Sequence, residues 1–320
     1  MNISVILPVY NAASTLAISL DSLKKQTVKV SEIIIVDNKS QDNSIDIIKQ
    51  YQEKNKDLSI ILLRQKETSS VASSYNLALK KSKGNFILAM HSDSSLPTRN
   101  ELKKLITPLL KNEEVVATYS HVILPKKIWL SYNFWEKCQS CRVVGKKIPG
   151  MNGKFDCYRK TALLKLNGFD DVNFDKYGDG NDADVYYRFK KIGRVILTKA
   201  QVIHLHYLKS DYSLSMWIEK RKNMSITAGR LLKMYGLETD LKGIVSFLLR
   251  PFLVFLLFIP KVNILGIFFA LAFSILYTSK MFTTVSTVRN PRIIILPFVN
   301  IFLIYFESFW ILYTLFTHKT

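Results

Sequence analysis

Short apolar runs rich in β-branched residues recur along the N-terminal two-thirds of the chain, and a polar stretch follows each of them. Such runs are typical of buried strands. Between them, apolar residues return at helical spacing, as Leu16, Leu20 and Leu23 do after Ser14, and this spacing predicts amphipathic helices. The predicted strands are Ser4–Val9, Glu32–Val36, Ser59–Leu63, Phe86–Met90 and Arg194–Leu197, and the later predicted helices include Ser44–Glu53 and Val71–Lys81.

The alternation of strands and helices predicts an α/β fold with a mostly parallel sheet and flanking helices on both faces. In sheets of this kind, ligands bind at the carboxyl ends of the strands. Pro8, Asp37 and the sequence His91-Ser92-Asp93 all fall at such ends. The pattern alone therefore predicts a ligand site at this edge of the sheet.

Three apolar runs follow the strand–helix region and indicate a membrane protein. They are Ile244–Pro260, Ile264–Tyr277 and Ile293–Phe316. The third is long enough to cross a bilayer at about 20 residues per span, whereas the first two are short for a span. The first two fit either two spans joined at Pro260–Asn263 or a re-entrant pair, and the alternative for all three is a buried helical domain of a soluble protein. We expect a membrane region at 243–320 with three transmembrane helices.

The charge of the chain supports contact with anionic molecules. It carries 45 basic and 25 acidic residues, a net charge of +20, which indicates a partner such as lipid headgroups or a phosphorylated substrate. This charge is spread along the chain, so we predict no nucleic-acid partner. The basic connection Lys280–Arg292 is expected in the cytosol with the N-terminal region. The basic and aromatic segment Leu214–Tyr235 fits an amphipathic linker helix at 213–242 on anionic lipid, or an ordinary solvated helix.

Missing motifs exclude several classes of function. No GxGxxG follows the first strand and no GxxxxGK[ST] occurs, which disfavours dinucleotide oxidoreductases and P-loop NTPases. Three cysteines predict no disulfide framework, and the single CxxC of Cys138 and Cys141 is too little for a closed zinc site. Met1–Tyr10 runs directly into a strand pattern, so we expect no signal peptide. The aromatic segment Lys126–Lys147 is a second candidate for membrane contact, or for an acceptor pocket.

The segments at the predicted strand ends carry recognisable motifs. They read SVILPVYNAASTLAISLDSLKKQ from Ser4, EIIIVDNKSQDNS from Glu32 and FILAMHSDSSLP from Phe86. Their order and spacing resemble family 2 glycosyltransferases, an inverting group with the GT-A fold, a Rossmann-like α/β domain. The resemblance covers roughly residues 2–210, and we expect a GT-A catalytic domain at 1–212.

The resemblance implies that a UDP- or GDP-sugar binds at the predicted strand ends. Asp37 would contact the base and Tyr10 would cover the base or ribose. The residues that the resemblance gives to the nucleotide are Pro8, Val9, Tyr10, Asn11, Asp37, Asn76, Ser92 and Asp93. Two alternatives stay open, because Asp37 also fits a turn aspartate and Asn76 a buried structural amide.

The resemblance also implies a divalent cation, Mn²⁺ or Mg²⁺, that bridges the diphosphate. His91-Ser92-Asp93 stands in place of the family's DxD motif, so the first aspartate is replaced by His91. Asp93 is the expected ligand, and His91 either binds the metal or positions its neighbour. His204, in a V-x-H setting, is the expected further ligand, and His206 is the alternative.

A third motif, Gly180-Asn181-Asp182-Ala183-Asp184 up to Arg188, resembles the family's acceptor-side EDxDLxxR signature, with Asn181 in place of the glutamate. The resemblance makes Asp182 the general base that deprotonates the acceptor hydroxyl. A helix N-cap is the structural alternative for this aspartate. Asp184 and Arg188 lie at i,i+4 spacing, which predicts an ion pair on one helix face.

The sequence therefore predicts a multi-pass cell-membrane glycosyltransferase with a cytosolic catalytic domain. Its acceptor is expected to be a hydroxyl of a lipid-linked or cell-envelope glycan. Two alternatives remain at this point. One is transfer to the phosphate of a polyprenyl carrier, and the other is a non-catalytic membrane scaffold that binds sugar nucleotides, which His91 and Asn181 keep open.

Overall fold

A computed structural model describes residues 1–174, 180–205, 211–238, 249, 252, 255, 256 and 258–317. The chain divides into two compact units. The first consists of Met1–Pro125 and Gly145–His206, and the second of Lys126–Val144 and Tyr207–Thr320.

The described part of the first unit is built on one nine-stranded sheet with the spatial order β3-β2-β1-β4-β8-β6-β9-β5, and β7 pairs with β6. The strands are β1 (Ile3–Val9), β2 (Glu32–Asp37), β3 (Ser59–Arg64), β4 (Phe86–Met90), β5 (Ser94–Ser95), β6 (Val115–Ile123), β7 (Lys147–Pro149), β8 (Phe155–Arg159) and β9 (Arg194–His204). Strands β3, β2, β1 and β4 are parallel, which confirms the expectation for this half of the sheet. The other half is mixed, because β8 runs antiparallel to both β4 and β6.

Helices cover both faces of this sheet. The helices described in the chain are α1 (Leu16–Lys24), α2 (Ser44–Lys54), α3 (Val71–Lys81), α4 (Glu101–Lys111), α5 (Phe134–Ser140), α6 (Lys160–Lys165), α7 (Asn181–Lys190), α8 (Leu214–Tyr235), α9 (Asn263–Tyr277), α10 (Ser279–Thr283), α11 (Val285–Val288) and α12 (Leu296–Thr317). Alternate residues of β1 point to opposite faces. Leu7 accordingly lies in one core with α1, α2 and α4, and Ile6 lies in a second core with α3, α6 and α7.

The register of the parallel strands brings the predicted ligand residues together. Val9, the last residue of β1, pairs with Asp37, the last residue of β2. Strand β4 ends at Met90, directly before His91. Strand β9 continues past the predicted end at Leu197 and reaches His204, which pairs with Ser94 of β5. The sheet therefore delivers His204 to the same edge.

The described part of the second unit is helical. Helices α8 and α12 run in the same direction, because Arg221 contacts Glu307 and, further along both helices, Gly229 lies against Ile311 and Thr314. A Cβ added at Gly229 would stand 2.8 Å from the backbone oxygen of Ile311, so only glycine permits this approach. The two helices therefore form a close pair.

Within the described residues, α12 is the only helix long and apolar enough to cross a bilayer. Helix α9, with 15 residues, is shorter. It turns the small residues Gly266, Ala270 and Ser274 inward and exposes large apolar ones such as Leu276. Ten of the 17 residues of the predicted run Ile244–Pro260 lie outside the described residues, so the expectation of three spans stays a prediction.

Residues Lys126–Val144 belong to the second unit, although the sequence grouped them with the catalytic domain at 1–212. Their aromatic side chains explain the difference. The ring of Trp135 lies 5.9 Å from that of Trp217 on α8, and the Lys280 ammonium lies 4.4 Å from the ring centre of Trp129. These apolar rings are buried by the helices of the second unit.

Candidate functional site

A cavity of about 150 Å³ opens at the carboxyl ends of β1 and β4. Its lining residues are Pro8, Val9, Tyr10, Asn38, Val71, Ser74, His91, Ser92 and Asp93. Six of these nine were singled out from the sequence, so the fold brings them together at one place. Tyr10 is 54% exposed, which leaves its ring free to lie against a planar ligand. Asn38, Val71 and Ser74 were missed, although Asn38 directly follows Asp37.

The loops after β1 and β2 are tied to each other beside this cavity. Asn11 donates its backbone N–H to the Ser40 hydroxyl at 3.0 Å, and its side-chain oxygen accepts from the Gln41 amide at 2.7 Å. Asn11 and Lys39 both have a positive φ, which asparagine tolerates better than most residues. The contacts described for Asn11 therefore hold the loops in shape, and its predicted nucleotide contact stays a prediction.

Asp37 is completely buried at the end of β2. One carboxylate oxygen accepts from the Ser40 amide at 3.2 Å. The other has no hydrogen-bond partner within the described part of the chain, and Arg64 Nε lies 3.7 Å from it. A buried acceptor without a partner is rare in native proteins. Asp37 therefore has an oxygen available for a donor N–H or O–H of a ligand.

The side chain of Asn76 on α3 is hydrogen-bonded to a neighbouring loop. Its amide nitrogen donates to the Phe169 carbonyl at 2.8 Å and to Asp171 at 3.1 Å, and its oxygen accepts from the Phe169 amide at 2.9 Å. Gly168 also packs closely on this side chain. Asn76 is half-buried, and these contacts are those of a structural amide, while its nucleotide contact stays a prediction.

Asp93 and two histidines form a polar cluster, of which Asp93 and His91 line the cavity. His204 Nε2 lies 2.9 Å from one Asp93 oxygen, and His91 Nδ1 lies 3.9 Å from the other. Burial lowers the pKa of His91 to about 3, so its imidazole is neutral. Burial by itself would raise the pKa of the Asp93 carboxyl. The hydrogen bond and charge of His204 outweigh burial and hold this pKa below its ordinary value.

This cluster fits part of a divalent cation site. The Asp93 oxygen facing His91 is buried and has no hydrogen-bond partner among the described residues. A carboxylate with imidazole suits Mn²⁺, and Mg²⁺ is often held by one or two carboxylates together with substrate phosphates. No group of three or more His, Cys, Asp or Glu at metal-binding spacing occurs in the described residues. Phosphate oxygens would therefore have to complete the coordination, and His206 lies outside the described residues.

Asp182 lies in the first turn of α7. One of its carboxylate oxygens accepts from the Ala183 amide at 2.9 Å. The predicted pair of Asp184 and Arg188 is confirmed, with Arg188 Nε 2.8 Å from the carboxylate. Arg188 also donates to the carbonyls of Leu166 and Gly168, so this pair fastens α7 to the preceding loop. The role of Asp182 as a base stays a prediction.

Asp156 on β8 was missed by the sequence analysis. It is fully buried, and one carboxylate oxygen accepts from the amides of Asn152 at 2.8 Å and Gly153 at 2.6 Å. The other oxygen has no partner within the described residues. Burial raises the pKa of Asp156 to about 7, and the charge of Asp182 adds to this. The available signal was one acidic residue inside the otherwise strand-like run Phe155–Arg159.

The raised pKa of Asp156 predicts that stability depends on pH. Its ordinary pKa is 3.8, so the folded state favours the protonated carboxyl and loses stability as pH rises from about 4 to about 7. The loss is expected to be a few kcal/mol at most, since one pKa unit equals about 1.4 kcal/mol. Asp156→Asn retains an oxygen for both amides and should flatten the dependence. Thermal melting of the wild type and the variant across this pH range measures the dependence. Equal slopes of melting temperature against pH would contradict the prediction.

Comparison with known proteins supports a transferase. Residues 4–166, just over half of the 320-residue chain, match the model of glycosyl transferase family 2. Poly(ribitol-phosphate) beta-glucosyltransferase of Bacillus spizizenii is 31% identical over 156 residues, 48% of this chain and 20% of that protein. The Escherichia coli UDP-Glc:alpha-D-GlcNAc-diphosphoundecaprenol beta-1,3-glucosyltransferase WfaP is 32% identical over 124 residues, 39% of this chain and 47% of that protein. The match thus spans half or less of the length of these relatives.

Solved structures share the fold. Mannosyltransferase PcManGT from Pyrobaculum calidifontis, in complex with GDP-Man and Mn²⁺, matches with a TM-score of 0.61 at 15% identity, over 97% of this chain and 87% of that one. Residues 1–349 of S. aureus TarS match with a TM-score of 0.50 at 16% identity, over 96% and 90%. At such identities the likeness shows the fold alone, and it confirms the predicted GT-A α/β domain.

Proposed function

Because the chain belongs to glycosyl transferase family 2, we propose that it moves a sugar from a nucleoside diphosphate sugar to a hydroxyl of a lipid-linked or cell-envelope glycan. The family match confirms the resemblance that the motifs indicated. The observation that carries the proposal is the cavity at the ends of β1 and β4, which is lined by Asp93, the hydrogen-bond partner of His204. The relatives named for poly(ribitol-phosphate) and diphosphoundecaprenol acceptors support the class of acceptor.

The donor is proposed to be a UDP- or GDP-sugar. The unpartnered oxygen of Asp37 can accept a hydrogen bond from an N–H of the base, as uracil and guanine both offer. Tyr10 can lie over the base or ribose, and Pro8 and Val9 shape the wall of the cavity. The structural neighbour that holds GDP-Man supports a guanine donor, and the relative named for UDP-Glc supports a uracil donor.

Asp93 and His204 are proposed to hold a divalent cation, with His91 as a further ligand or as the group that positions Asp93. When bound, the cation supplies positive charge that neutralises the leaving diphosphate. The buried, unpartnered oxygen of Asp93 supports this role. The neutral state of His91 leaves the lone pair of one ring nitrogen available to a metal.

Asp182 is proposed to act as the general base. Its carboxylate would take the proton of the acceptor hydroxyl, while the acceptor oxygen forms a bond to the anomeric carbon. The bond from that carbon to the diphosphate breaks, and the nucleoside diphosphate leaves with the electron pair. Attack opposite to the leaving group inverts the anomeric carbon. The position of Asp182 in the first turn of α7 supports this assignment.

The second unit is proposed to hold the chain in the cell membrane as a multi-pass region, with the catalytic unit in the cytosol. The apolar helix α12 and the exposed side chains of α9 support membrane contact. A single thiol at Thr284→Cys, in a chain without its three natural cysteines, should react with membrane-impermeant maleimide only after cells are opened. The exposed control Lys49→Cys should behave in the same way. Labelling of Thr284→Cys alone on intact cells would overturn this topology.

The proposed activity is tested with the full-length chain in detergent, native membrane extract as acceptor, and a panel of UDP- and GDP-sugars. Release of nucleoside diphosphate together with a labelled lipid-linked or polymeric product is the expected result. Excess chelator should abolish the reaction, and Mn²⁺ or Mg²⁺ should restore it. Binding of a nucleoside diphosphate without any turnover favours the scaffold alternative and would overturn the proposal. Full activity in chelator, with no metal by elemental analysis, would remove the metal assignment.

A further inference from the structure

A short turn between β7 and β8 reaches into the proposed site. Tyr75 on α3 donates its hydroxyl to the Gly153 carbonyl at 2.9 Å. Gly153 has a φ of +68°, and a Cβ at this position would lie 3.0 Å from the Tyr75 hydroxyl and 3.1 Å from His91 Nε2. Only glycine therefore lets this turn pack directly on the His91 ring.

Asp156 holds this turn from beneath. The same carboxylate oxygen accepts from two successive amides, those of Asn152 and Gly153. The Asn152 side chain then accepts from the amide of Lys154 at 3.1 Å. Lys154, the residue after Gly153, is therefore fixed in a turn whose backbone touches the polar cluster around Asp93.

Lys154 brings a positive charge to this cluster. After burial, its charge is the next cause that lowers the pKa of His91. It also opposes the effect of burial on the carboxyls of Asp93 and Asp156. The side chain is half-buried, and within the described residues its ammonium group makes no ion pair. The carboxylates of Asp93 and Asp156 act on this ammonium group at longer range than an ion pair, so it can still pair with an anionic ligand in the cavity.

We propose that Lys154 is a further donor-binding residue whose ammonium group pairs with the diphosphate, and that Asp156 is the positioning residue that holds its turn in place. This inference rests on the proposed function, since it concerns the same donor. Lysine binds phosphate as a point charge. With His91 where the motif otherwise has an aspartate, the cavity has fewer carboxylates to hold a cation, and a lysine supplies part of the positive charge directly.

The test measures binding of UDP, GDP, UMP and GMP to the full-length chain by calorimetry in detergent with Mn²⁺. Lys154→Met should weaken binding of whichever diphosphate binds the wild type by about 10- to 100-fold, because a hydrogen bond to a charged group contributes about 1.5–3 kcal/mol. Binding of the matching monophosphate should change much less. Lys154→Arg should restore part of the preference for diphosphate, since it keeps the charge.

Lys49→Met, on the exposed side of α2, is the control for loss of one positive charge and should bind as the wild type does. Asp156→Ala should also lower the ratio of diphosphate to monophosphate affinity. The double variant with Lys154→Met should lose no more than Lys154→Met alone, because both act through one contact.

Each other outcome has a definite meaning. If Lys154→Met retains the diphosphate preference of the wild type, or loses affinity for the diphosphate and the monophosphate equally, the inference is wrong while the proposed function stands. If the wild type binds no nucleoside diphosphate at all, the proposed function fails and this inference fails with it.

Discussion

Asp182→Asn is expected to reduce turnover by about 10²- to 10⁴-fold, the usual effect of losing a general base. Asparagine has nearly the same size and keeps an oxygen for the Ala183 amide, so the first turn of α7 should stay intact. It has no basic lone pair with which to take the proton of the acceptor. Because the proposed role of Asp182 concerns the acceptor, affinity for the nucleotide donor should change little.

Asp184→Asn is the matched control, two residues away on the same helix. Its carboxylate pairs with Arg188, which also binds two loop carbonyls. Its loss should therefore lower the melting temperature and affect turnover through folding. Turnover, donor affinity and melting temperature of both variants separate the two roles. Near-normal turnover of Asp182→Asn on the native acceptor would refute the base and favour a polyprenyl phosphate acceptor, since that nucleophile arrives already ionised.

Glu307→Gln is expected to destabilise the helical unit by about 3–5 kcal/mol, the usual cost of leaving one partner of a buried ion pair uncompensated. Arg221 Nε lies 2.5 Å from the Glu307 carboxylate, and both residues are buried between α8 and α12. Tyr277 covers the guanidinium, with its ring centre 5.2 Å away. Glutamine removes the negative charge and leaves the buried Arg221 cation without its carboxylate partner.

Thermal melting of the full chain in detergent measures this effect. Glu219→Gln is the matched control, because Glu219 is exposed and lies 4.0 Å from Lys222, a surface arrangement worth about 0–1 kcal/mol. The double variant Arg221→Met with Glu307→Leu should recover much of the lost stability, since apolar residues of similar volume often replace a buried pair without cost. Equal melting temperatures for Glu307→Gln and Glu219→Gln would show that loss of the buried pair does not destabilise the helical unit by this amount.

The strand pattern allowed the ligand edge to be predicted because parallel strands in adjacent βαβ units end on the same side of the sheet. Pro8 and Asp93 needed no contact information to be placed at that edge, since each follows or ends a continuous apolar run. The pair of Asp184 and Arg188 was predictable for a similar reason. Helical spacing fixes the distance between residues four apart, whatever else the helix touches.

Contacts between distant segments could not be predicted in this way. Asn76 bonds to a loop more than ninety positions away, so its contacts depend on how α3 and that loop meet. In the sequence, nothing distinguishes Asp156 from any other charged residue near a strand. Its role depends on the turn at Asn152, which folds back onto its carboxylate. Lys126–Val144 belongs to the second unit because of its aromatic packing, although its neighbours in the chain belong to the first unit.

By itself, the sequence determined the parallel half of the sheet, the family, the motif residues at its edge and the apolar character of the C-terminal helices. These depend on local spacing and composition, which the chain carries before it folds. Only the tertiary structure decided that Asp156 holds the turn of Lys154 and that Arg221 and Glu307 join two helices. Each of these joins residues from separate elements. Burial makes an unpaired polar group costly, and this burial exists only after the elements pack.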